Sequence, residues 1–408
     1  MIDFEDALKL ILSESPPLSA KDVPITEAID RVVPEKVIAP IDLPPFTKAR
    51  IDGFALFSED AKDKKAIHEV IGSVPTGIFP SEKLERGQAM QIQAEAPLPN
   101  GSDTVVAMDE VRLLMDGTRV GILKRIKRGR NIVPVGDRIK KGETLLEAGK
   151  CLNSIDIGLM GSMGIEKVSV FPPVRVGILT LGNEFISIGK ETKHGQVWDS
   201  NGIQLLTALY EKRAQPEYLG VVKEEEEAIN AAISRAKSCN ALILTGVTGT
   251  NRRLVLMNSF KKAGVKILFE EISLAPSGSL IVARLEQTLI FVLPQDPFFS
   301  MVLFEALITP GLRRMMGYKQ LYNSVIDAIL ENKIKKSPDC YLIQPGYVSF
   351  RKNKCYVKFC ESLKKMDILS YAKCNGLIRV IKGDKSIKSG KSVEVIITKQ
   401  VCDLGRIK

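Results

Sequence analysis

Four stretches of this 408-residue sequence set reactive side chains beside backbone that can come close to a ligand. In the first, Pro44 and Pro45 fix φ and withhold N–H donors, so an extended arm delivers the carboxylate of Asp52 beside Gly53, where a glycine tolerates close approach. The second is Gly182-Asn183-Glu184, which directly follows an apolar run ending at Leu181. The third, Thr245-Gly246-Val247-Thr248-Gly249-Thr250-Asn251, offers glycines and hydroxyls between a strand and a helix, a pattern that suits a phosphate and also serves as a plain turn. The fourth, Pro294-Gln295-Asp296-Pro297, reads as an N-cap with proline at the first helical position. The carboxylates of Asp52 and Glu184 could handle a cation or close a turn.

The elements around these residues follow from periodicity. Residues 1–42 predict a helix, a turn at Glu14-Ser15-Pro16-Pro17 and a second helix from about Ile25 to Val33. Short alternating strands follow between 65 and 150, near 66–70, 88–93, 104–108 and 119–122, with hairpin-like turns at Pro99-Asn100-Gly101 and Asp116-Gly117. A helix over 154–163 leads to a strand at 167–171 and a boundary at Pro172-Pro173. Strands at 174–181, 217–222, 241–244 and 289–293 then alternate with helices at 201–213, 225–237, 254–262 and 298–316, which means βαβ units and a parallel sheet. Ala228, Ile229, Ala232, Ile233 and Ala236 form the apolar stripe of one such helix, and Glu224 to Glu227 load its start with the sign the helix dipole favours. Beyond 318 the chain is basic and strand-rich, near 340–343, 347–350, 354–359, 377–381 and 392–398, and reads as a small β-barrel. In an open α/β sheet, ligands bind outside the carboxyl ends of the strands, which points to the loops after Leu181, Leu244 and Leu293.

Composition limits the partners. A net charge of +10 favours anions, whereas 6% aromatics, with the basic residues in short scattered groups such as 124–130, argue against nucleic acid. No apolar run is long enough to span a membrane, and the acidic amphipathic start predicts no export signal, hence the cytoplasm. Seven cysteines without a C-x-x-C pair, beside only His68 and His194, read as reduced, small buried hydrophobes and argue against a zinc site; the alternative is a metal site in the last domain, since five of them lie beyond residue 339. The length implies two to four domains.

Several of these motifs share one resemblance. Residues 43–55, LPPFTKARIDGFA, resemble the P-P-F-D-N-S-A-M-D-G-Y-A signature of the molybdopterin molybdenumtransferases, the family of bacterial MoeA and the gephyrin E domain. Residues 92–110 are similar to its I-x-T-G-A-x-L-P-x-G-A-D-x-V-V-x-x-E, Gly182-Asn183-Glu184 to its T-G-D-E-L, and residues 195–201, GQVWDSN, to its G-Q-I-x-D-S-N. The resemblance covers nearly the whole chain. It implies a fold of class α/β plus β: an elongated multidomain protein with a helical arm (1–42 and 143–172), an inserted β domain (43–142), a three-layer α/β molybdopterin-binding domain (173–317) and a C-terminal β-barrel (318–408). It also implies a homodimer that acts in molybdenum cofactor biosynthesis by inserting molybdate into adenylylated molybdopterin and releasing AMP, with Mg²⁺ as the assisting ion and a possible partner enzyme supplying the pterin.

By the same resemblance Asp52 and Glu184 are the catalytic pair, with Glu184 also a metal ligand. Asp199, Ser200, Asn201, Gly246, Thr248, Asn251, Asp296 and Ser300 are the substrate-binding set. Several family positions are substituted: Ala94-Glu95, Arg138, Arg252-Arg253 and residues 274–279, where the family has aspartates, lysines or glycine. A guanidinium in place of a carboxylate opposes Mg²⁺, and Arg138 and Arg253 are either phosphate donors or surface arginines. The substitutions imply slow turnover, recoverable by aspartate at 138, 251 and 253 with lysine at 275 and 278. The alternative is a divergent paralogue that binds a molybdopterin-like ligand or a protein partner without catalysis.

Overall fold

The computed structural model describes residues 1–398 apart from 64, 276, 323, 336–337, 352, 360–367 and 384–385. The expectations for Cys360, Cys402, Pro276 and the segment 363–366 lie outside the described residues. Two compact units emerge: Met1–Asp22, Asp30–Pro34 and the chain from Ser169 onward form the larger, Val23–Ile29 and Glu35–Val168 the smaller.

In the larger unit the elements run β1 (Ile2–Asp3), α1 (Phe4–Ser13), β2 (Arg175–Leu181), α2 (Ser200–Glu211), β3 (Gln215–Val222), α3 (Glu226–Ala236), β4 (Ala241–Val247) and α4 (Gly249–Ala263). Then come β5 (Lys266–Phe269), β6 (Ile272–Ala275), β7 (Ile281–Leu285), β8 (Thr288–Pro294), α5 (Pro297–Leu303) and α6 (Thr309–Met315). One six-stranded sheet has the order β3-β2-β4-β8-β7-β5, in which the first four strands are parallel and β7 is antiparallel to both of its neighbours, β8 and β5. Helices cover both faces, which is why β2, β4 and β8 are continuous apolar runs. Leu205 and Leu209 of α2 pack on one face together with Phe4, Ala7 and Ile11 of α1 and Phe298 of α5. Ile229, Ala232, Ile233 and Ala236 of α3 join Leu256 and Phe260 of α4 on the other.

The helix expected over 298–316 is interrupted by a π-helical turn, Phe304–Ile308. Pro310 is the cause: it has no N–H for the carbonyl of Ala306 and its ring would strike that group. The displaced Ala306 carbonyl accepts from the Tyr322 hydroxyl at 3.0 Å instead.

A barrel follows, built from β9 (Val325–Leu330), β10 (Tyr341–Arg351), β11 (Lys354–Phe359), β12 (Gly376–Val380) and β13 (Ser392–Ile397). It closes in the order β10-β11-β9-β13-β12 and back to β10, around Leu330, Val348, Val357, Ile378 and Val395. The separate strands expected at 340–343 and 347–350 are one strand, β10, whose two halves pair with different neighbours: β12 along Leu342–Gly346 and β11 along Gly346–Arg351. β6 pairs with β10, and β1 with β6, so the first residues of the chain extend the barrel's sheet.

The smaller unit is built on a six-stranded sheet with the order 104–107, 53–56, 88–92, 67–74, 119–122, 111–114. The turn at Asp116-Gly117 does close a hairpin, whereas Pro99-Asn100-Gly101 does not. The fully buried strand Gly53–Leu56 intervenes between its flanking strands and pairs with both. The helix expected from Ile25 to Val33 is only a 3₁₀ turn over Ile25–Glu27; Asp30 takes a positive φ of 60°, and Val33 precedes proline, which disfavours the α region. The helix Ser154–Ser162 carries a capping box between Asn153 and Asp156. Of the cysteines described, only Cys239 and Cys374 are buried, and Cys151 is exposed. No helix of the described residues is long and apolar enough to cross a membrane.

Candidate functional site

The connection from β2 runs to α2 on one face of the sheet, and the connection from β4 runs to α4 on the other. Such divergence opens a crevice between the two strand ends, where open α/β sheets take their ligands. A cleft of about 840 Å³ lies at the carboxyl ends of the parallel strands. Phe185 and Trp198 wall one part, Thr248 and Thr250 at the start of α4 another, and Arg253, Gln295 and Asp296 contribute charge and amide. Trp198, the only tryptophan of the chain, is half-exposed and donates its indole N–H to Lys190 O at 2.9 Å.

The loop expected over Thr245–Asn251 is much shorter. β4 runs to Val247 and α4 begins at Gly249, leaving Thr248 as the N-cap residue, without a side-chain cap bond. No acidic residue of α4 itself stands in its first turn and no side chain caps it, while Glu224 borders a small cavity at the same helix start. Gly246 is required here: φ is 85°, and a Cβ would lie 2.4 Å from the Leu181 carbonyl oxygen.

Not every candidate reaches the cleft. Ser200, Asn201, Thr248 and Asp296 line it. Asn201 donates to Thr245 Oγ1 at 3.0 Å and to the Gln295 carbonyl, while its own Oδ1 is buried without a partner. Asp199 is fully buried and accepts from Gly202 N (2.9 Å), Thr180 Oγ1 (2.7 Å) and Tyr218 Oη (2.6 Å), so its lone pairs serve the start of α2. Burial first, and then the Asp199 carboxylate, push the Tyr218 phenol above its usual range. Ser300 is buried and donates to Pro294 O at 2.7 Å. Asp296 caps α5 as expected, accepting from Phe298 N and Phe299 N. Asn251 is exposed and borders a small cavity with Glu224 and Arg252.

Glu184 is engaged by Arg252, one of the substituted family positions, whose partners the sequence did not show. Arg252 Nη2 donates to Glu184 Oε2 at 3.0 Å and also to Glu224, while Nη1 donates to the carbonyls of Leu181 (3.3 Å) and Gly246. Gln295 Nε2 adds a contact to Glu184 Oε1 at 3.3 Å. The available signal was topological: the ends of β2, β3 and β4 converge, so a cation one turn into α4 meets carboxylates from the other two loops. Arg253 pairs with Glu270 and Glu271 and borders the cleft.

Asp52 belongs to the smaller unit, is exposed, and accepts from Ala94 N at 2.8 Å beside a cavity of about 590 Å³ that includes Gln91 and Gln93. The close approach that Gly53 permits is internal: a Cβ there would sit 2.0 Å from Val106 O of the adjacent strand. Glu95 pairs with Lys48, and Arg138 is exposed.

Sheet order, flanking helices and cleft define an open α/β protein with a crevice at its strand ends and an appended barrel. Residues 2–164 match the family model "MoeA N-terminal region (domain I and II)", and residues 177–314 match "Probable molybdopterin binding domain". A "Molybdopterin molybdenumtransferase" of Staphylococcus epidermidis is 26% identical over 406 residues, covering 97% of this chain and 96% of its own. One from Haemophilus influenzae is 27% identical over 322 residues, 78% and 79% of the two chains. The crystal structure of a molybdopterin biosynthesis MoeA protein from Pyrococcus horikosii superposes with a TM-score of 0.86 at 26% identity, over 98% of this chain and 99% of that one. The chain belongs to the MoeA family.

Proposed function

We propose that this protein acts in molybdenum cofactor biosynthesis, taking adenylylated molybdopterin into the cleft of the larger unit and inserting molybdate with release of AMP. The observation that carries the reading is the pairing, in one cleft, of aromatic walls with anion donors. Phe185 and Trp198 suit a planar pterin or adenine, and the uncapped start of α4, Thr248, Thr250 and Arg253 suit phosphate. The curated relatives that span nearly the whole chain carry the transferase name, which speaks against a purely non-catalytic role.

In this reading the α4 amides and Arg253 hold the phosphoanhydride and offset charge on the departing AMP. Ser200 and Asn201 orient the ligand across the cleft, and Asp52 stays assigned to molybdate as the second substrate. Mg²⁺ does not fit the residues present, because the Glu184 carboxylate is already taken by the Arg252 guanidinium and by Gln295. An ion placed there would face a fixed positive charge. The reading extends to the four-part division into arm, inserted β domain, α/β domain and barrel, and to a cytoplasmic homodimer that receives molybdopterin from a supplying enzyme; light scattering at micromolar concentration tests the dimer.

The decisive assay incubates purified protein with adenylylated molybdopterin and molybdate and measures AMP. Molybdate-dependent AMP release is expected, reduced in a Thr248→Ala/Arg253→Ala double variant by about 10² to 10³, the usual effect of losing oxyanion donors. Ligand binding without AMP release would leave a binding protein, and absence of binding would remove the cleft assignment.

A further inference from the structure

Arg252 sits in the crevice where the connections from β2 and β4 part, and it is nine-tenths buried, at 9% exposure. A single nitrogen, Nη2, contacts carboxylates from two different loops: Glu184 after β2 at 3.0 Å, and Glu224 after β3. The other, Nη1, ties the carbonyls at the ends of β2 and β4, Leu181 and Gly246. Two partly buried carboxylates on converging loops repel each other unless a cation is shared between them.

We infer that Arg252 is a built-in cation that bridges Glu184 and Glu224 in the place a divalent ion would take, so that the cleft binds its phosphorylated ligand without one. The inference rests on the cleft reading above. A guanidinium matches carboxylate and carbonyl oxygens through a planar fork and is weakly hydrated, which suits a part-buried crevice. Mg²⁺ demands near-octahedral oxygen ligands and gives up water reluctantly; to enter, it would have to break the six hydrogen bonds that Arg252 makes to four protein groups. Arg252 also lies one turn into α4, so the same bonds that neutralise the acids fix the helix start that carries Thr248, Thr250 and Arg253 to the cleft. It is a positioning residue as well as a charge.

The experiment uses the full chain, Mn²⁺ as the probe ion read by electron paramagnetic resonance, and AMP as the probe ligand read by calorimetry with and without EDTA. The wild type is expected to leave Mn²⁺ free, and its AMP affinity to change less than about twofold with EDTA. Arg252→Gln should gain Mn²⁺ affinity by about tenfold or more, since an unpaired acidic pair attracts the ion, and Arg252→Gln/Glu184→Gln should lose that gain. Arg252→Lys keeps the charge and should still exclude Mn²⁺. Mn²⁺ bound by the wild type and lost in Glu184→Gln would overturn the inference, as would an Arg252→Gln protein that binds no more Mn²⁺ than the wild type. Should Arg252→Gln fail to fold, the wild type and Arg252→Lys decide: Mn²⁺ excluded by both upholds the inference, and Mn²⁺ bound at Glu184 by either sinks it. If AMP binds to none of these proteins, the cleft reading fails, and the Mn²⁺ results still decide the role of Arg252.

Discussion

A carboxylate in a family motif can belong to the fold. Asp199 reads as a substrate group, yet its oxygens are consumed by Gly202, Thr180 and Tyr218. Asp199→Ala therefore leaves three donors without partners and should cost at least about 3 kcal/mol, at about 1–3 kcal/mol for each group stranded. Urea unfolding measures this, and unchanged stability with lost ligand affinity would return Asp199 to the binding set. Asp296 was legible because Asp-Pro ahead of an apolar run is a local signal. Arg252 was not, because its partners lie 68 and 28 positions away in sequence. Lysine at 278, suggested by the resemblance, is corrected by the backbone: any Cβ there would sit 1.8 Å from the Ile272 carbonyl oxygen. Gly278→Lys should abolish folding of the larger unit.

Among elements, the π turn places Glu305 against Lys212 at the end of α2, with Nζ to Oε1 at 2.8 Å and both side chains buried. Burial pushes the Glu305 carboxyl up, opposed by the Lys212 charge. Lys212→Met strands the acid and should cost about 3–5 kcal/mol, whereas Lys212→Met/Glu305→Leu should restore most of it, because a buried ion pair contributes little net stability. A double-mutant cycle measures the coupling, and equal losses in both proteins would refute it. The strand Ile67–Val74 holds a second buried group, His68, whose ring nitrogens have no partner. Burial lowers its pKa below 6.5, with Asp60 opposing. The unfolded chain therefore takes up the proton first: stability is complete above pH 6.5 and declines as pH falls through the window beneath it. His68→Leu should flatten that decline and add about 1 kcal/mol by removing an unsatisfied polar group; parallel pH titrations of stability would show otherwise. Helices and strands were legible from period, whereas the π register came from one proline and the misread hairpin from non-adjacent pairing.

At the scale of the molecule, the larger unit is assembled from both ends of the chain. Phe4, Ala7 and Ile11 are buried in the same core as Tyr341, Ile343 and Leu377 of the barrel. Phe4→Ala should cost about 3–5 kcal/mol, and hydrogen exchange should rise across β2, β4 and β8 while the strands between 53 and 122 keep their protection. Uniform loss in both units would contradict the division. The parallel sheet and barrel were legible because burial on two faces, or on one, leaves continuous or alternating runs; the discontinuity was not, since nothing local reports that residue 2 pairs with residue 272. That pairing has a consequence for synthesis. When β1 and α1 leave the ribosome, the strand and core that will cover them are some 270 residues from being made, on the order of ten seconds to a minute at typical elongation rates. For that interval an amphipathic helix with a bare apolar face waits while the smaller unit is completed, which makes the first dozen residues the natural foothold for a nascent-chain chaperone.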